Sequence, residues 1–288
     1  MKFAYIRDHR EVFDVGAMCA VFGVTAAGFY AFLKRPESAR SVRARALAEQ
    51  VRAVHHDVKG VYGSLKITRE LRLRDHKVNR KTVAKLMQRL GIRSKVSKAF
   101  RVQTTDSDHA NPIAPNVLNQ DFASAAAPDR VWGADITSIA TGEGFLYLAG
   151  VMGLYSRKIV GWSMDDTMTT DLVERAFNAA LLSRKPALGL LHHSDRGAQY
   201  TSGRYRDLLA SSGVEASMSR TGNCYDNAVV ESFWGKLKTE MAYHQRFTTK
   251  AQARAAVFEY IEMFYNRKRL HAALDYLSPE QFENRRVA

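Results

Sequence analysis

The 288-residue sequence predicts two structural classes in series, an all-α basic region and then an α/β domain built on a mixed sheet. Three observations carry this. Residues 1–100 hold 22 Lys and Arg against 8 Asp and Glu, whereas the remaining 188 residues hold 21 of each sign. Apolar residues in the front third recur at helical spacing, broken by glycine and by capping residues. Beyond residue 130 the texture changes to strand-like runs that alternate with helical ones.

In the front, residues 12–35 read as a helix-turn-helix. Val15, Met18, Cys19 and Phe22 share a helical face, Gly23 breaks the run, and Thr25 caps a second helix ending near Leu33. A second helical pair follows, with Ile67, Leu71 and Leu73 in a basic stretch and then Val83, Leu86, Met87 and Leu90, closed by Gly91. The exposed positions of that last helix, Arg80, Lys81, Lys85, Gln88 and Arg89, suit phosphates and base edges. From about Arg101 to Asp129 the periodicity stops; TTDSDHANPIAPN reads as a linker. The predicted organisation is therefore a DNA-binding region over 1–100, a linker over 101–129, and a catalytic domain with a helical tail over 130–288.

The second part begins with strands at Val131–Thr141 and Phe145–Met152, joined through the turn TGEG. A third strand is expected at Ile159–Met164, a helix at Thr170–Ser183, and a short buried strand at Leu188–Leu191. Residues 201–212 read as helical, Val214–Met218 as a fifth strand, Asp226–Met241 as a helix, and Lys250–Asn266 as a helical tail. Three antiparallel strands, then helix, strand, helix, strand and helix, is the order of a ribonuclease-H-like domain.

Composition narrows the function. Hydrophobic content of 46% is ordinary for a globular chain, and no apolar run reaches the roughly 18 residues of a membrane span. The opening MKFAYIRDHRE has no secretion-signal core. Cys19 and Cys224 stand far apart with no CxxC, which excludes a zinc ribbon or a disulfide framework and makes a reducing cytoplasm the expectation. A charge excess confined to the front third points to nucleic acid, because each cation that neutralises a phosphate releases a counterion. Solvated basic helices and RNA binding remain open on charge alone.

Three acids bear the chemistry. Asp135 stands mid-strand in VWGADITSI, where a carboxylate costs several kcal/mol to bury unless a cation or donors meet it (about 2–7 kcal/mol for a polar group, more for a charge). Asp195 follows the short strand in LGLLHHSDRG. Glu231 lies in the helix DNAVVESFWGKLKTEM, whose apolar stripe is Val230, Phe233, Trp234, Leu237 and Met241. Brought together, the three would support metal-assisted phosphoryl transfer, with two Mg2+ or Mn2+ ions roughly 3.5–4 Å apart. Taken singly, each reads as well as a capping or salt-bridging residue.

The spacing favours the first reading. Thirty-five residues separate Asp195 from Glu231, and Lys238 lies seven beyond the glutamate. With WGADIT (132–137), LYLAGVMGLYSRKIVGWSM (146–164), HHSDRGAQYTS (192–202), GNCYDNAVVESFWGKLKTE (222–240), YNRKRLHAALDYLSPEQFE (265–283) and YGSLKITREL (62–71), the chain resembles the transposases of insertion-sequence family three, in the product of their second reading frame. Their core is similar to retroviral integrases. The resemblance implies that Asp135, Asp195 and Glu231 carry the metal ions and that Lys238 contacts the element's terminal DNA. It implies cleavage at 3′ ends and strand transfer, acting on terminal inverted repeats and target DNA. The expected partners are further copies of the chain and the upstream-frame product of the same element, with action at the bacterial nucleoid. At Gly153 that family usually has aspartate; the position lies outside the triad, so strand packing is where the departure should be felt.

Other residues carry paired readings. His192 and His193 lack a partner at zinc-ligand spacing and read as structural or DNA-adjacent. Cys224 reads as a packing residue. Asn227 would steady Glu231 or a DNA phosphate, or neighbour a helix cap. Arg267, Lys268 and Arg269 fit DNA contacts and a solvated helix end equally, and Lys236 is expected to tolerate alanine better than Lys238. Two rival functions stand beside transposition: a non-catalytic DNA-binding regulator, and a ribonuclease-H-type nuclease on RNA–DNA hybrids. Tandem helix-turn-helix elements disfavour the second, since they fit B-form grooves.

Overall fold

The computed structural model describes residues 1–95, 112–220 and 227–285; Cys224 lies outside them. The chain divides into two compact units, residues 1–53 and 54–288. The second helical pair thus belongs to the larger unit.

In the smaller unit, α1 (Lys2–His9) precedes α2 (Val15–Phe22) and α3 (Ala26–Lys34). The helix-turn-helix is present where the periodicity places it. Asp14 caps α2, Gly23 ends it with φ +61°, and the Thr25 hydroxyl accepts the Gly28 N–H at 3.1 Å to start α3. Ile6, Met18, Cys19 and Phe29 form its core. A long helix α4 (Ala39–Asp57) has no counterpart in the sequence reading, because its arginines interrupt every apolar period.

In the larger unit, α5 (Ser64–Leu73) and α6 (Arg80–Arg89) pack through Ile67, Leu71, Val83, Leu86 and Met87. Asn79 caps α6 by accepting the Thr82 N–H at 2.9 Å. Leu73, at the helix end, is 61% exposed.

The sheet has the order β3-β2-β1-β4-β5. Strands β1 (Val131–Thr141), β2 (Gly144–Gly153) and β3 (Lys158–Asp165) are antiparallel, and β4 (Leu191–Ser194) and β5 (Glu215–Met218) run parallel to β1. Strand β4 begins where the predicted strand ends. Leu188 is 84% exposed and Gly189 turns with φ +88°, while the buried strand residues are His192, His193 and Ser194. The apolar run marked the turn into the strand.

One face of the sheet carries α7 (Thr170–Arg184), α8 (Ala198–Thr201) and α9 (Gly203–Ser211), packed on Trp132, Ala134, Val151 and Val160. The other carries α10 (Ala228–Glu240) and α11 (Lys250–Phe258), which runs on into a π-helical segment, Glu259–Tyr265. A last helix, α12, spans Pro279–Asn284. Residues 112–129, expected as linker, are instead part of this unit. Leu118 is buried, the Ser217 hydroxyl accepts the N–H groups of Val117 and Leu118, and Pro115 O accepts the Met218 N–H, which covers the β5 edge. No single helix among the described residues is long and apolar enough to cross a membrane.

Helix α7 rests directly on β3 at Gly161. A Cβ there would lie 2.5 Å from the Ala180 nitrogen and closer still to the Ala176 carbonyl. Backbone on both sides cannot yield, so Gly161→Ala is expected to cost about 3 kcal/mol, the upper end of overpacking. Gly153→Ala serves as its control, since the nearest atom to a Cβ there is 3.7 Å away. The strand therefore has room at the position where the resembled family carries aspartate. Thermal unfolding should separate the two variants clearly; equal melting temperatures would refute the close approach.

Candidate active site

The interior of one strand, the end of its neighbour and one helix compose the site. On β1, Trp132, Ala134 and Ile136 face the core under α7, so Gly133, Asp135 and Thr137 point to the α10 side. The parallel register pairs Gly133 with His193 and Ala134 with Ser194. Asp135 follows Ala134 within β1 and Asp195 follows Ser194 just past the end of β4, each one residue beyond the last registered pair. The Asp195 side chain accepts the Gly197 N–H at 2.9 Å, which fixes it at the turn into α8.

Helix α10 lies close over this point because two glycines let it. A Cβ on Gly133 would collide with Val230, and one on Gly150 with the Trp234 ring. Asn227, at the N-cap position, donates from its side-chain amide to the Ala134 carbonyl at 3.3 Å. Trp234 donates from Nε1 to Asp135 Oδ2 at 3.1 Å, and the Ile136 N–H donates to Oδ1 at 2.8 Å. Glu231 lies between those two anchors in the first turn of α10 and is exposed.

The electrostatics bind the three acids together. Loss of water holds the Asp135 carboxyl well above the ordinary carboxylate range, and the charges of Asp195 and Glu231 push it further; the Ile136 and Trp234 donors pull the other way. Carboxylates that raise the Asp135 pKa supply the oxygen-only donor type that fits magnesium or manganese. Among the described residues, no three His, Cys, Asp or Glu groups gather closely enough to hold an ion outright. The nitrogen donors next door are engaged elsewhere. His192 Nε2 meets the Tyr205 hydroxyl at 3.0 Å, burial holding its ring neutral with a pKa pushed down to about 3. His193 sits between the Ser217 and Ser219 hydroxyls at 2.9 and 3.1 Å.

A pH dependence follows. The raised Asp135 pKa means that the folded chain holds this proton more tightly than the unfolded chain, so stability is fully present at low pH and is lost as pH rises. Asp135→Asn should therefore raise the melting temperature of the metal-free chain at neutral pH, and the gain should vanish below the ordinary carboxylate range. A variant no more stable than wild type at pH 7 would contradict the desolvation.

The remaining expected residues are distributed as follows. Lys238 is half-buried on α10; desolvation pulls its ammonium down while the Asp135 charge pulls it up, so it faces the acids. It lines a groove of about 700 Å³ with Ser138, Thr141, Tyr243 and Arg246. Arg80, Lys81 and Lys85 are exposed along α6, opposite the buried Val83, Leu86 and Met87. Asn227, expected at DNA, is 5% exposed and its amide is spent on Ala134, so it docks the helix. Arg269 is also buried, in an ion pair with Glu240 at 2.5 Å, which corrects both readings of the YNRKRL segment for that residue. Lys236, expected as the tolerant neighbour, is half-buried. Trp234 and Gly150 went unnoticed as site residues, although the pairing of a strand glycine with a helix tryptophan has no local sequence signal.

Comparison with known proteins gives three family-model matches: integrase core domain over residues 125–224 and again over 231–287, and HTH-like domain over 43–100. The chain is 41% identical over 290 residues to transposase InsF for insertion sequence IS3A of Escherichia coli strain K12, covering 100% of both chains. It is 44% identical to the insertion element IS600 uncharacterized 31 kDa protein of Shigella sonnei, covering 93% of this chain and 98% of that one. Among solved structures, the HTLV-2 integrase catalytic core domain in complex with magnesium is 15% identical with a TM-score of 0.43, covering 55% of this chain and 99% of that one.

Proposed function

The chain belongs to the transposases of insertion-sequence family three, and from that premise we propose that it binds the terminal inverted repeats of its element, cleaves at their 3′ ends and joins them to target DNA. Membership makes it a DDE-type polynucleotidyl transferase with an HTH-like domain and an integrase core. The observation that carries the finer reading is Asp135 within β1 beside Asp195 just past the end of the parallel strand β4, with the charges of Asp195 and Glu231 both acting on Asp135.

Asp135, Asp195 and Glu231 would hold magnesium or manganese, in a two-ion arrangement. Such ions, when bound, activate the attacking oxygen and offset charge on the leaving oxygen of an in-line displacement. The protein's own part is positioning. Trp234 and the Ile136 N–H fix both oxygens of Asp135, Gly197 fixes Asp195, and Asn227 holds the helix that presents Glu231. Lys238 grips a phosphate beside the scissile one, at the mouth of the groove along β1. Cleavage and joining use one centre because both are displacements at phosphorus.

Recognition of the repeat falls to the basic front, with Arg80, Lys81 and Lys85 on the open face of α6 set toward phosphates and base edges. Copies of the chain hold the two ends together, and the upstream-frame product of the same element is a further partner. The protein works on bacterial DNA in the cytoplasm.

Incubation of the full chain with magnesium and a labelled duplex of the element's end tests this. Release of a 3′-hydroxyl end and its joining to a second duplex is the expected result. Binding without any product would favour the regulator, and cleavage restricted to RNA–DNA hybrids would favour the nuclease.

A further inference from the structure

Four of the motif segments that flank the catalytic acids bring cations to one place in the larger unit. The Tyr62 hydroxyl donates to the Lys268 carbonyl at 3.2 Å and accepts the Leu270 N–H at 2.7 Å, which pins the start of α5 against the segment holding Arg269. Lys66, one turn along, lies over the Tyr62 ring at 5.0 Å. Arg269 is bonded to Glu240 at the end of α10, and Lys236 sits one turn before that glutamate. Arg157, on the β2–β3 turn with a left-handed backbone at φ +59°, adds charge felt at Lys236 and His271.

Charge in this cluster is unbalanced. The carboxylate that Lys66 and Lys236 both feel is Glu240, and its oxygens already accept from Arg269 and from the Tyr260 hydroxyl at 2.9 Å. Lys66 and Lys236 are half-buried, and among the described residues neither forms an ion pair; Lys236 donates only to Ser232, at 2.7 Å. Burial, then the charge of Arg269, draws each lysine down to about 8, and Arg157 adds to the effect on Lys236. His271, bonded to Arg269 at 3.3 Å, is pushed down to about 2 by burial and by all four cations. Cations that share one already paired carboxylate gain most from an external anion.

We propose that Lys66 and Lys236, beside the Tyr62 anchor and the Arg269–Glu240 pair, form a binding site for a backbone phosphate of duplex DNA. The choice of DNA as the anion rests on the transposase reading. Lys236 lies five residues beyond Glu231 on α10, about 7.5 Å along the helix axis. Five residues also turn Lys236 about 140° around α10 from Glu231, so the site holds the duplex on another face of the catalytic helix, apart from the acids. It also ties α5, in the HTH-like segment, to the catalytic helix through one shared ligand.

The test uses the full chain, Lys66→Gln, Lys236→Gln and the double variant, with Lys66→Arg as the charge-keeping control. Each single variant should bind a short duplex of the element's end about 3–10-fold more weakly at ~0.15 M salt, and the slope of log affinity against log salt should shrink by about 1. Sodium sulfate should raise the melting temperature of wild type and of Lys66→Arg more than that of the double variant. Folded variants with wild-type affinity, slope and sulfate response would overturn the site. That outcome leaves the transposase reading intact, because product formation tests it separately; absence of products from wild type would sink that reading without touching the binding comparison.

Discussion

Asp135→Asn, Asp195→Asn and Glu231→Gln should each lower both end cleavage and end joining by roughly a thousandfold or more, equivalent to about 4 kcal/mol of transition-state stabilisation. Each neutral isostere keeps shape and removes a charge that would hold a cation. Binding of the end should survive, since the phosphate contacts lie on cationic side chains elsewhere. The three positions differ in what substitution does to the fold, and that difference makes the test sharp. Asp135 is half-buried and desolvated beside two other acids, a charge that the metal-free chain supports poorly, so its variant should be at least as stable as wild type. Glu231 is exposed, so its variant should be neutral. Loss of activity with a preserved melting transition therefore assigns chemistry and not folding. Joining at wild-type rates by any one variant would remove that residue from the centre.

Much of this was legible in the sequence, for identifiable reasons. Strand β1 matched residue for residue because Val131–Thr141 is long, rich in β-branched residues and closed by the Gly142–Glu143 turn. The acids were singled out because a mid-strand Asp135 is expensive to bury and because the interval from Asp195 to Glu231 comes with the surrounding motifs; their roles remain the proposal that the variants above test. Strand β4 was misplaced because its buried side chains are two histidines and a serine, satisfied by Tyr205, Ser217 and Ser219 from elements distant in sequence. Polar residues satisfied across a fold leave no apolar period. The same blindness explains Asn227 and Lys236. Whether a polar side chain meets water, a carbonyl or other cations is decided by elements up to a hundred residues away, such as Ala134 for Asn227.

Arg269 is the clearest case and carries the largest expected effect on stability. Three consecutive cations, Arg267, Lys268 and Arg269, look alike in sequence. Two of them are exposed, while the side chain of Arg269 is 6% exposed beside a Glu240 side chain at 4%. Nε and Nη2 of the guanidinium reach the two Glu240 oxygens at 2.8 and 2.5 Å, and the Tyr260 hydroxyl donates to the same carboxylate. Arg269→Met leaves that buried carboxylate with the Tyr260 phenol as its remaining hydrogen-bond donor among the described residues, so the chain should lose about 3–5 kcal/mol. For a domain of this size the melting temperature should fall by roughly 10 °C. Lys268→Met, one residue earlier and exposed, should change stability by less than about 0.5 kcal/mol. Arg269→Met combined with Glu240→Gln should regain part of the loss, because no unpaired charge remains and the amide still accepts from Tyr260. Thermal unfolding of the four chains decides the matter. An Arg269→Met variant as stable as Lys268→Met would mean that the pair is solvated after all, and that the helical tail is held to α10 by apolar packing alone.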